Sequence, residues 1–445
     1  MLGKSLNILA KFLVVIFSLL IVYVVAVVII NLRDKPPSAT VVEFEQAWNN
    51  RAAVADNDNG YLFLLGFDVA ETEDPKAIGL ERVEWSQQVI SSSSEENLEF
   101  PQASYLVQEN LPAEFAELVN LCSEVTQDCI NAIEKNKTLI DEWQNNEPWV
   151  NDRYRQLIAH SGWLELSALD IRLPLPKYAE VMKAQRIIFI SAFANTTPND
   201  NGYLSELLDR DLRFWRGVLK DSDALIGKMI ASVAIKNNFL WTNYFLLRKG
   251  EMPLDASMHQ PFTADELSMY RCLIGEWKYG HTVYQAQFDQ RLTKVSEKLV
   301  INLTHKKQDT VNQLAARVKS ALDNLDVPVN EFEVAFTEYT QQLRQESVPK
   351  NKVHYLFNPY NPVGQILVGI ASPDYGNYAA RSKNLEAFRR GLLFSVEQMN
   401  NSSPTATRLL SPYPSKPFAI DQQQRSVTVN GLGNNSAHRQ QVYFY

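Results

Sequence analysis

The chain has 445 residues, 45% hydrophobic and 21% charged, with 3 Cys and about 4% Gly; this composition excludes whole-chain disorder, a small disulfide scaffold and a fold built on Gly-rich phosphate loops. Forty-three Lys and Arg stand against 51 Asp and Glu, a formal charge of −8, and beyond residue 40 the balance is about −11. A body that acidic repels phosphate backbones, so nucleic acid is not an expected partner.

Between Phe12 and Ile30 the only polar residues are Ser18 and Tyr23. At ~1.5 Å per residue that run makes a helix of about 28 Å, the thickness of a bilayer's hydrocarbon core. It exceeds the roughly 7–15 residue core of a signal peptide. Pro37 and Ala39 form a poor cleavage site, so the run reads as a permanent single-pass anchor that partners the lipid bilayer. Lys4 and Lys11 precede the span, and Arg33 and Lys35 follow it. A short basic N-terminus that stays inside places the body outside the cytoplasm. Asp34 to Thr40, with its Pro36-Pro37 pair, is a stiff exit linker.

Downstream the pattern is helical. Residues 59–79 begin apolar and turn acidic before Pro75 restarts a helix, and the polar run Ser91 to Glu96 reads as a loop. Helical spacing covers 112–137 and 139–163. Cys122 and Cys129 would stand about 10 Å apart on one unbroken helix, beyond disulfide reach. They bond only if the chain breaks near Thr126-Gln127-Asp128; otherwise they are two unrelated thiols. Cys272 reads as a core residue. Further helices are expected over 178–194, 203–220 and 222–248, the last capped by Asp221 or Ser222, with a loop at 197–202. Thr263-Ala-Asp-Glu266 has the spacing of a capping box that opens a helix past Lys298, with a break at Gly280. Helices at 310–325 and 331–345 follow, then one capped by Asp374 that runs to Met399. Residues 425–429 and 442–445 alternate as a terminal hairpin.

The expected fold class is therefore mainly α. Residues 1–33 are the cytoplasmic N-terminus and transmembrane anchor, 34–42 a linker, 43–357 an α-helical body, and 358–445 a C-terminal helix with a small β-hairpin. The body is a multi-helix bundle or an irregular helical-hairpin solenoid without a fixed repeat.

Asn59-Gly60 through Leu64-Leu-Gly-Phe-Asp68, then Glu71-x-Glu73-Asp-Pro75 and Gly79, resembles a segment of membrane-anchored envelope proteins of Gram-negative bacteria. Asn361-Pro-Val-Gly364, followed by Tyr375, Tyr378 and Arg381, resembles the same group. So does Ser411-Pro-Tyr-Pro-Ser-Lys-Pro-Phe418, where Ser411 and Ser415 replace the group's Asp and Gly. The resemblance covers about a quarter of the chain and implies an envelope location, not a reaction.

The sequence carries no catalytic signature. Its six histidines (160, 259, 281, 305, 354, 438) are isolated, and neither a His-Glu-x-x-His nor a Cys-x-x-Cys occurs. Ser347-Val-Pro-Lys350 has an acylase spacing, but Pro349 prevents a helix from aligning the pair. Glu71, Glu73 and Asp74 form an acidic cluster suited to a cation or a basic partner, or simply a solvated loop. Glu114/Glu117 and Asp209/Asp211 read as helix-surface charges, and Arg381, Lys383, Arg389 and Arg390 as a solvated basic face. Trp143, Trp149, Trp163, Trp215, Trp241 and Trp277 read as core. No metal or cofactor is implied.

The leading expectation is a non-enzymatic inner-membrane protein whose periplasmic helical body binds or scaffolds another envelope protein. The rival is a cell-wall-acting hydrolase, recognisable by a polar cleft with convergent carboxylates of perturbed pKa. A third reading, a membrane-complex subunit packed through its span, has little small-residue spacing to support it.

Overall fold

The structure, a computed structural model, describes residues 2–91, 99–167, 170, 172–195, 201–249, 256–291, 295–346, 358–371, 373–399, 409–433 and 438–444. Most of the expected loops at 91–96 and 197–202, the Ser347/Lys350 pair and His354 lie outside the described residues.

The first helices are α1 (Leu2–Ile30), α2 (Ala39–Asn49), α3 (Gly60–Leu65), α4 (Pro75–Ser91), α5 (Val107–Asn110), α6 (Ala113–Leu121) and α7 (Gln127–Lys135). Next come α8 (Lys137–Asn146), α9 (Pro148–Leu157), α10 (Tyr178–Asn195), α11 (Asn201–Asp221), α12 (Leu225–Lys249), α13 (Ala256–His259) and α14 (Ala264–Leu267). The series ends with α15 (Tyr270–Arg291), α16 (Val295–Thr304), α17 (Lys307–Leu325), α18 (Phe332–Glu346), α19 (Pro362–Ala371) and α20 (Tyr375–Met399). An antiparallel sheet of β1 (Ala419–Asp421), β2 (Ser426–Asn430) and β3 (Arg439–Tyr443) follows, in the order β1-β2-β3. The fold is mainly helical, and the expected hairpin has a third strand: Ile420 pairs with Val427, which pairs on its other side with Val442. β1 is exposed along its whole length, so it lacks the inward–outward alternation that marks a strand in sequence.

Contacts divide the chain into two units, each assembled from stretches far apart in sequence. The smaller holds residues 1–51, 277–320 and 341–373. Within α1, Lys11–Ile30 is apolar and long enough to cross a membrane, and none of that window is buried. Ser38 caps α2 by accepting from Val41 N, and α2 sets Phe44 edge-on against Trp277 at 5.5 Å. Asp34 caps the start of α17, accepting from Gln308 N at 2.8 Å and Asp309 N at 3.0 Å.

The larger unit holds residues 52–276, 321–340 and 374–445. Its centre is α12, packed against α10, α11 and α20. Phe189, Phe193, Trp241 and Phe245 pack there in tilted ring contacts, while Trp215 and Trp163 are buried nearby. Trp143 is buried as well, as Trp277 is in the smaller unit; Trp149 is only half-buried, its Nε1 donating to Glu147 at 2.6 Å.

Helix boundaries differ from sequence expectation where side chains from far along the chain intervene. Ser222 Oγ donates back to Val218 O instead of capping α12. The donors at that helix start go to distant carboxylates, Ala224 N to Glu165 at 3.0 Å and Leu225 N to Glu276 at 3.3 Å. The Thr263–Glu266 capping box forms, but its helix stops at Leu267. A new one starts at Tyr270, whose N–H is taken by Ser268 Oγ, and runs unbroken through Gly280.

Candidate functional site

A cavity of about 480 Å³ opens on the larger unit, within the size range of small-ligand sites. Four separate stretches form it. Ser232, Lys236, Leu240 and Tyr244 recur every four residues on α12, so they share one helix face. Arg381, Leu385 and Phe388, at steps of four and three, share one face of α20. Arg439, Gln440, Gln441 and Tyr443 come from the edge strand β3, and Ser123 to Thr126 supply the remaining wall.

That wall is a loop closed by a disulfide. α6 ends at Leu121 and Thr126 caps α7 by accepting from Cys129 N. The break brings Cys122 and Cys129 to a Cα separation of 4.9 Å, and they are bonded.

Three cations, Lys236, Arg381 and Arg439, face one carboxylate, Glu124, among the lining residues. Lys236 Nζ donates to Arg439 O at 2.7 Å and lies 5.3 Å from the centre of the Phe388 ring. Burial pulls the Lys236 pKa below its usual value, against the pull of Glu124. His438 accepts at Nδ1 from Asn384 at 2.9 Å, which leaves the proton on Nε2. Burial, then Arg381 and Lys236, push its pKa down to about 4, so it is neutral at physiological pH. Gly433 passes this ring at φ 111°, where a Cβ would come within 2.4 Å of it.

Among the described residues, two polar groups of the lining have no partner. Gln440 is 2% exposed, and neither its amide Nε2 nor its Oε1 makes a hydrogen bond. Arg381 Nε is buried and likewise unbonded. An unsatisfied buried polar group costs roughly 1–3 kcal/mol, which a ligand offering an acceptor and a donor would recover. An acceptor that is also anionic fits the surrounding charge.

A second cavity, about 500 Å³, lies between residues 158–163 and α11, lined by His160, Trp163, Arg210, Arg213, Phe214 and Asp221 among others. His160 Nδ1 is 3.0 Å from Gln156 O. Asp221 has its pKa raised by burial and is bound by Arg271 at 3.1 Å. The most strongly shifted carboxylates sit elsewhere. Burial takes Glu165 to about 8 and Asp211 to about 6, yet both accept bonds from neighbouring protein groups.

Of the acidic cluster singled out in the sequence, Glu73 and Glu71 both act on Arg153. Glu73 accepts from Ala70 N and Ser104 Oγ, and these bonds hold its pKa low. Asp74 accepts from Lys76 N, and Glu71 is exposed. Among the described residues no group of three or more His, Cys, Asp or Glu could hold a metal ion.

Two surface readings are corrected. Asp211 is fully buried, accepting from Tyr154, Gln185 and Asn238, and Asp209 accepts from Ser257 and Arg213. Glu114 and Glu117 are exposed. The basic face is not solvated: Lys383 and Arg389 are buried, Lys383 donating to Val327 O and Arg389 forking onto Glu386. Arg390 shares Glu386. Of that basic set only Arg381 reaches the groove, and Lys236, Arg439 and Gln440 were not foreseen. Lys236 left a faint trace as the lone charge in the Ile230–Leu240 stretch.

Comparison of the chain with family models, with curated proteins and with solved structures finds no match.

Proposed function

We propose that this chain is a single-pass inner-membrane protein whose periplasmic helical domain binds or scaffolds another envelope protein, which places an anionic segment in the α12–α20–β3 groove. The observation that carries the reading is the groove's unpaired polarity. Gln440 and Arg381 Nε are buried with no partner among the described residues, beside Lys236 and Arg439. The apolar Lys11–Ile30 helix supplies the tether. A cell-wall hydrolase remains the second reading, on the strength of His160 and Asp221 lining one cavity. The binding reading is favoured because the carboxylates with the highest pKa, Glu165 and Asp211, are engaged by protein donors.

The test is photo-crosslinking from a probe at Val233, an exposed residue on the groove's rim, in the full-length protein in its membrane. One stoichiometric envelope protein is expected. The adduct should fall at least tenfold in the charge-reversed Lys236→Glu, Arg381→Glu double variant, and also with rising salt, because an open groove is screened. Adducts only to the chain itself, or unchanged by charge reversal, would overturn the reading.

A further inference from the structure

α19 is ten residues without a charge, Gln365 being its one polar side chain. Gly364 and Val368 face inward. Ile366 and Ile370, one turn apart, are 43% and 79% exposed, and Val300 of the adjoining α16 is 56% exposed. A single exposed Ile is ordinary, but an uncharged helix with an aligned apolar face needs a covering surface.

The tie between α19 and α1 says what that surface is. Asn31, the first residue beyond α1, donates from Nδ2 to Pro359 O at 2.8 Å and accepts from Asn361 N at 2.9 Å. Asn361 in turn donates to Asp309 at 2.8 Å, while its Oδ1 accepts from Lys306 N at 2.8 Å and Gly364 N at 3.1 Å. Asn31 and Asn361 are both fully buried, so the first turn of α19 is fixed to the residue where the apolar span ends. Ten helical residues rise about 15 Å, which keeps all of α19 close to that exit. The headgroup layer there is roughly 5–8 Å deep. Lys35 lies 4.7 Å from the centre of the Tyr360 ring, and an aromatic paired with a basic residue is what that layer favours.

We propose that α19 is an interfacial helix whose Ile366–Ile370 face rests on the headgroup–acyl boundary of the bilayer that α1 crosses. The chain then meets the membrane twice, by a span and by an in-plane foot, and the buried Asn31–Asn361 knot holds the two in register. The inference rests on the reading of α1 as a membrane anchor.

The experiment uses full-length protein with Cys272→Ser in phosphatidylethanolamine–phosphatidylglycerol vesicles, its disulfide kept intact. A polarity-sensitive fluorophore is attached through Ile370→Cys or, separately, Val22→Cys in mid-span. Lipids carry a nitroxide either high or low on the acyl chain. The Ile370 label should emit at blue-shifted wavelength and be quenched at least twofold more by the shallow nitroxide, and the Val22 label more by the deep one. Water-like, unquenched emission from Ile370 alongside a quenched Val22 overturns the foot and leaves the anchor standing. Loss of quenching at both sites overturns the anchor too.

Discussion

Glu165 sits where the fold pits a charge against burial. Trp163 Nε1 donates to one of its oxygens at 3.2 Å and Ala224 N to the other at 3.0 Å. Burial nevertheless dominates, Asp223 adds like charge, and the pKa rises to about 8 even though Arg271 pulls it down. An unfolded glutamate titrates near ~4.3, so between about pH 4.5 and 8 the folded chain holds a proton that the unfolded chain has lost. Stability therefore falls as pH rises through that window, and below it the effect vanishes. Glu165→Gln carries no charge at any pH, but its amide cannot accept both bonds. The variant should be the less stable protein at pH 5, then regain about 1.4 kcal/mol per pH unit relative to the parent. Urea unfolding of both proteins at pH 5, 6, 7 and 8 measures that difference. A gap that stays constant with pH would mean that Glu165 is already ionised in the folded protein at pH 5.

Between helices, backbone contact sets the tolerance. A Cβ on Gly79 would lie 1.9 Å from Leu62 O, and one on Gly66 2.0 Å from Pro75 O, so α3 and α4 touch backbone to backbone. Asp68 and Arg82 close the same hairpin with a buried ion pair, Arg82 also donating to Pro101 O at 3.0 Å. Gly79→Ala forces the helices apart, because a carbonyl in a helix cannot turn aside alone, and should cost about 1–3 kcal/mol or more. Gly217 lies inside α11 with nothing within 4 Å of an added Cβ; there Ala should stabilise by roughly 1 kcal/mol through helix propensity. Thermal unfolding of the two variants should therefore move in opposite directions, and a shared sign would contradict the close α3–α4 contact. Both glycines were visible in the sequence, Gly79 within the segment that resembles envelope proteins, but only the packing tells them apart. The same holds for Asp211 and Arg389, whose helical spacing could not say which face is covered. Local signals fared better: the capping box at Thr263 and the turn at Thr126 are chemistry within a few residues, and both form.

For the molecule as a whole, the helical class and the one apolar span could be read from periodicity, because each is a property of a contiguous stretch. The groove could not. Its walls come from residues near 124, 236, 385 and 440, and no linear motif encodes a cavity assembled across more than 300 positions. The proposed orientation across a membrane falls between these cases, since charge around the apolar helix gives only a slight bias, but the cysteines make it measurable. Cys122 and Cys129 are bonded. Cys272 is buried, its thiol pushed up to about 12 by that burial, so the folded chain offers no reactive thiol. Cys122 and Cys129 are themselves buried, so labelling is done in urea on a Cys272→Ser protein. With the body in the periplasm, an impermeant maleimide added to spheroplasts should label nothing without reductant and two thiols per chain after reduction. A cytoplasmic body predicts the converse. Reductant outside would expose nothing to the reagent, and lysis without reductant would suffice for labelling, because the cytosol keeps such pairs reduced. Both patterns leave intact, unreduced spheroplasts unlabelled and they part at reduction and at lysis, so one labelling series decides on which side of the proposed membrane the body lies.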